Sequence, residues 1–193
     1  MICILSFSTV FIVLTVIIHA NTTLELSAVS TGLILSFAGI GNIIGVLIMR
    51  YLEGVSWVPL LSILLIISAS GVLLICLTSS IMMACIGMMI FDGALSMAFI
   101  VQAAVHQGIT PDNALSRVRS STYVIGGLFA MLGSFLSGAI PQFYSTNMSL
   151  VVGFAILAVP SIIILRYKKR KCRHEKNGSY PIKVKRWVND DIY

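Results

Sequence analysis

Asp92 is the single acidic side chain inside a long apolar stretch that runs from Ile81 to Val105. It lies about eleven residues into that stretch, so a helix would carry it about 16 Å deep, close to the middle of a hydrocarbon layer about 30 Å thick. An ionised carboxylate at that depth costs about 2.5–3.5 kcal/mol on insertion scales. Neighbours such as Ile90, Phe91 and Leu95 return only tenths of a kcal/mol each, but a whole apolar span returns enough for the segment to insert. A carboxylate so placed has to face a bundle interior or a wet cavity, where it pairs or takes a proton. Two uses follow, a proton-coupling or substrate-contacting group, or a hydrogen-bonded structural one, and the sequence leaves both open. Asn42 and Gln102 pose the same question within their own apolar runs. Cys85, Met88, Met89, Ser96 and Phe99 share the Asp92 side of a helix, and such a flexible, polarizable lining suits a small apolar or amphipathic molecule. No Lys or Arg stands within an apolar run to pair with the carboxylate.

Other chemistries find no residues to carry them. Hydrolysis within a membrane wants a Ser with a His, or two carboxylates, at one depth. His19 and His106 fall near opposite boundaries of the apolar layer, and His174 lies in the C-terminal tail. There is no Gly-rich phosphate loop and no cluster of metal-ligand spacing. The four cysteines, Cys3, Cys76, Cys85 and Cys172, have neither metal nor disulfide spacing and read as packing residues or an ordinary exposed thiol. The expectation is therefore no catalytic residue, no metal, no cofactor and no enzyme.

The elements that must position Asp92 follow from composition. Of 193 residues, 58% are hydrophobic and only 10% charged, too few polar groups to cover a soluble domain of this size. The polar residues gather between apolar runs about twenty residues long, the length a helix needs to cross a bilayer. The sequence predicts an all-α integral membrane protein with six spans, at residues 2–20, 28–49, 57–77, 81–105, 120–140 and 148–165. The first apolar run is read as a span rather than a removable leader, since no Lys or Arg precedes it. Ser27 is placed to cap the second span. Between the fourth and fifth, Thr110-Pro111-Asp112 reads as a cap, a first-turn proline and a carboxylate favouring the helix dipole. The fifth span is expected to end before Pro141, and Pro160 to kink the sixth. Residues 167–193 are expected to form a flexible basic tail outside the 1–166 bundle.

Charge tests the count. All 13 Lys and Arg, from Arg50 through Arg117 and Arg119 to the run Arg166–Arg186, fall on one side of a six-span arrangement, and the other three links carry none. The positive-inside rule then places both termini in the cytoplasm, with the protein in the cell membrane. Each cation of the tail adds about 1 kcal/mol of attraction to an anionic leaflet, so the net charge of +6 speaks of lipid and not of nucleic acid. Small residues recur at helical spacing in two spans. Gly32, Ser36 and Gly39 lie in the second, with Gly41 and Gly45 one face over; Gly126, Gly127, Gly133, Ser134 and Gly138 lie in the fifth. They are expected to let helix backbones approach closely.

The run Leu26-Ser27-Ala28-Val29-Ser30-Thr31-Gly32-Leu33-Ile34-Leu35-Ser36, followed by Gly39 to Gly45, resembles the seventh-to-eighth helix region of major facilitator superfamily exporters, in the branch of macrolide-efflux and siderophore-export proteins. Gln107-Gly108-Ile109-Thr110-Pro111-Asp112, followed by Arg117-Val118, is similar to that branch's cytoplasmic link between helices ten and eleven. The link Arg50-Tyr51-Leu52-Glu53-Gly54 departs from the family, lacking the Asp-Arg and paired basic residues of its gating loop. The family fold has twelve helices in two halves, and the resemblance covers only the second. It implies proton-coupled export of small compounds by a chain that needs a second six-helix half, a separate chain or another copy of itself. The alternative is a membrane bundle without transport of its own, acting through helix–helix contacts.

Overall fold

A segment as apolar as these can satisfy its backbone N–H and C=O groups away from water only within itself, as a helix. The computed structural model describes residues 1–52, 56–78, 80–110 and 112–176, with the backbone alone at 109, 112, 113 and 167–176. Six helices make up the chain: α1 (Ile2–Thr22), α2 (Ala28–Met49), α3 (Trp57–Leu77), α4 (Ile81–Ile109), α5 (Asp112–Phe143) and α6 (Thr146–Lys176). There is no strand among the described residues, and all six helices are long and apolar enough to cross a membrane.

Several helices outrun the spans expected for them. The connection expected over residues 106–119 is nearly all helix: α4 continues to Ile109 and α5 begins at Asp112. Polarity there tells where water is, not where the backbone stops coiling. Ala114, Leu115 and Arg117 favour the helix, and Leu115 and Val118 lie three apart on one face. Thr110, expected to cap the next helix, instead closes α4, its N–H donating to the carbonyl of His106 at 3.2 Å, and α5 begins two residues on at Asp112. Pro111 lies outside the described residues, as does the side chain of Asp112. Helix α5 does not stop before Pro141 but passes through it to Phe143. A proline so near the end forfeits only one backbone bond. Helix α6 runs through Pro160 and on to Lys176, so the basic segment begins as helix. Cations at a helix C-terminus complement its dipole. The side chain of Cys172 and residues 177–193 lie outside the description. At the other end, Ser27 caps α2, its hydroxyl accepting from the N–H of Ser30 at 3.3 Å.

Neighbours in sequence are mostly not neighbours in space. Helix α2 packs along α4, α1 along α5, α4 also along α3, α1 along α6, and α3 against α6. These principal contacts are unchanged when α1, α2 and α3 are exchanged with α4, α5 and α6. The fully buried side chains come chiefly from α1, α3, α4 and α6: Leu5, Phe11, Leu65, Val72, Phe91, Leu95, Leu150 and Leu157. Helices α2 and α5 flank this core and turn most of their apolar surface outward, Ile43 and Leu47 on one, Leu128 and Phe135 on the other.

Candidate functional site

Helices α2 and α4 meet backbone to backbone. A methyl group added at Gly45 would sit 2.6 Å from the carbonyl oxygen of Gly93, one at Gly93 would sit 2.7 Å from that of Gly41, and one at Gly41 would strike the carbonyl of Met89. With no side chain between them, the residues beside these glycines are brought within hydrogen-bond reach. Asn42, next to Gly41, donates through Nδ2 to Oδ2 of Asp92, next to Gly93, at 2.7 Å. Two candidates read separately from the sequence thus form one pair. Both are partly buried. The carbonyl oxygen of Asn42 is buried and meets no donor. The carboxamide therefore offers a donor to an ionised carboxylate and keeps an unused acceptor for a carboxyl O–H or a bound hydroxyl. The backbone beneath Asp92 is held from the far side, where Ser68 on α3 donates to the carbonyl of Phe91 at 3.0 Å.

The expected lining divides. Met88 is fully buried in the core, like Phe91 and Leu95, on the side of α4 that α3 covers, and is not among the residues lining the cavity between α1, α4 and α5. Met89 lies under α2, and Ser96 turns its hydroxyl onto the Gly93 carbonyl at 2.9 Å. Phe99 does line a cavity, and so does Gln102, but one separate from the Asp92–Asn42 pair. It has a volume of about 520 Å³ and lies between the N-terminal half of α1, the C-terminal half of α4 and the N-terminal half of α5. Gln102 is 5% exposed and its carbonyl oxygen has no partner. His106, Arg119 and Tyr123 stand at the same cavity.

The small residues also divide. Gly41, Gly45, Gly126 and Gly133 sit at helix contacts, the last two against Ser6 and the carbonyl of Phe7 on α1. Gly32, Gly39 and Gly127 do not: nothing lies within 4 Å of a methyl group placed there. Periodicity finds a small face but cannot say which helix, if any, covers it. Tight contacts also form at Gly71 and Gly87, between α3 and α4, and at Gly153 against Ile12. These glycines drew no notice in the sequence because none belongs to a run of glycines at helical spacing within its own span. The cysteines with described side chains, Cys3, Cys76 and Cys85, are free. His19 is buried at the end of the bundle away from the α4–α5 link, its Nδ1 3.1 Å from the hydroxyl of Thr146, with no acidic partner. No group of three or more His, Cys, Asp or Glu comes together among the described residues.

The cavity residues missed in the sequence are Arg119, which reads there only as a topological charge, and Tyr123, which drew no notice. Their signal, an i to i+4 pairing on a helix face, becomes legible only once α5 begins at Asp112. No protein-family model matches the chain, and no curated protein matches it.

Proposed function

We propose that this chain is one six-helix half of a proton-coupled membrane exporter of small apolar or amphipathic compounds, of the major facilitator type. The observation that carries the reading is the Asp92–Asn42 pair: one carboxylate in the middle of an apolar helix, with a neutral hydrogen-bond partner rather than a cation. A salt bridge would hold such a carboxylate ionised, whereas an amide can serve either protonation state. Two features support it. The principal packing survives exchange of helices 1–3 with 4–6, and three passes each would make those sets inverted repeats, as in many carriers. The outward faces of α2 and α5, with Gly32 and Gly39 on one and Phe135 on the other, leave room for a second six-helix body. With the basic residues inside, both termini are cytoplasmic in the cell membrane.

The test is transport of lipophilic dyes by vesicles containing the full chain, with and without an imposed pH gradient. Asp92→Asn is expected to abolish gradient-dependent movement while the amount of protein in the membrane stays the same. Undiminished movement in that variant removes the carboxylate from the mechanism. Absence of movement in the unaltered chain, with its helices inserted and any co-expressed partner present, favours a bundle that acts through contacts alone.

A further inference from the structure

About 15 Å further along α4 from Asp92, by helical rise, the cavity between α1, α4 and α5 has a chemistry of its own. We infer that it binds an amphipathic anion, with the apolar body between the three helices and the anionic head at Arg119 and His106.

Three observations converge. The walls are mostly hydrocarbon, with Val10, Phe99 and Val118 among them. The volume, about 520 Å³, falls in the range of about 300–1,000 Å³ typical of small-molecule sites. It suits a single-chain amphiphile and not a whole two-chain lipid. Polar and charged groups, His106 and Arg119 among them, interrupt those walls. Arg119 brings a guanidinium whose partner among the described residues is the ring of Tyr123, 6.0 Å from its centroid. The carboxylates with described side chains, Glu25 and Asp92, do not line the cavity. A planar guanidinium offers the bidentate geometry that carboxylates and phosphates accept. The third observation is independent of charge. Gln102 is almost wholly buried, lines this cavity and leaves its carbonyl oxygen unpartnered. A buried polar group without a partner is costly, so the site is incomplete as it stands. A carboxamide can turn its NH2 to a head-group oxygen or its oxygen to a hydroxyl. His106, one helical turn from Gln102, lies on the same face of α4.

The ligand could reach the cavity from the aqueous phase, as a free single-chain carboxylate, or from the leaflet, as an anionic lipid inserting one chain. Binding does not depend on the transport reading; only the use of the ligand as cargo rests on it. The test is a titration of the full chain, in discs of neutral phosphatidylcholine, with a dansyl-labelled undecanoate. Saturable binding is expected, displaced by dodecanoate about tenfold more effectively than by dodecanol. Arg119→Gln and Gln102→Leu should each weaken binding about tenfold, Arg119→Lys less, and Ala103→Trp should block it. Arg50→Gln, a cation outside the cavity, should leave it unchanged, and helix content by circular dichroism should be the same in all. Unsaturable uptake, equal displacement by dodecanol, or binding intact in both Arg119→Gln and Ala103→Trp would overturn the inference. Repeating the titration with phosphatidylglycerol in the discs assigns the source. Displacement that Arg119→Gln abolishes identifies the leaflet, and undisturbed probe binding identifies the free amphiphile. A chain that binds the probe but transports normally as Asp92→Asn keeps this inference and loses the other.

Discussion

Asp92 and Asn42 differ from a structural hydrogen bond in what they leave unused. The amide gives one N–H to the carboxylate at 2.7 Å and holds a buried oxygen with no donor. Losing the amide should therefore be felt at both groups. Asn42→Ala leaves the carboxylate without its donor and is expected to lower stability by about 1–3 kcal/mol, the cost of stranding a buried polar partner. The measurement is thermal unfolding in a mild detergent. Combined with Asp92→Ala, the loss should fall short of the sum of the two single losses by about 0.5–3 kcal/mol, because each single variant already breaks the same bond. Strict additivity would mean that the two side chains do not interact.

At the scale of the helix, α2 shows how abruptly tolerance changes from one face to the next. A methyl at Gly41 meets the Met89 backbone and one at Gly45 meets the Gly93 carbonyl, while Gly39 has open space. Gly45→Val is expected to push α2 off α4, break the Asn42–Asp92 bond and destabilise by about 1–3 kcal/mol, the usual cost of overpacking. Gly39→Ala should be neutral or slightly stabilising, since alanine forms helix better than glycine. A melting series over both positions checks the contrast, and equal effects would refute the α2–α4 seam. The six helices and the lone carboxylate in the middle of an apolar helix were legible in the sequence because hydrocarbon length and charge placement are local properties. The Asn42 partnership was not, because fifty residues separate the two and only the crossing of α2 with α4 joins them. The Thr110-Pro111-Asp112 signal marked a helix start close to Asp112, but its continuity with the fifth span was hidden for another reason: Ser116, Arg117 and Arg119 look like a loop to hydropathy yet carry no helix breaker. The division of the glycines was equally out of reach, since spacing alone does not name a partner.

At the scale of the molecule, the flanking helices α2 and α5 are the ones least covered, with Gly32 on the one and Phe135 on the other open to the outside. A second six-helix body seated there should bring Gly32 or Phe135 near its own helices. In a background freed of native cysteines, Gly32→Cys and Phe135→Cys are expected to form crosslinks in native membranes, to a copy of the chain or to a separate half. Finding only lipid at both positions would argue for a bundle that stands alone. The exchange of α1–α3 with α4–α6 bears on where novelty can arise. When the sets are exchanged, α1 takes the place of α4, yet α1 carries no Asp, Glu, Lys or Arg. The packing pattern is shared by the two sets and the carboxylate is not. The glycine crossings and the ionisable side chain are therefore separable: the one can stay fixed while the other is changed, removed or relocated.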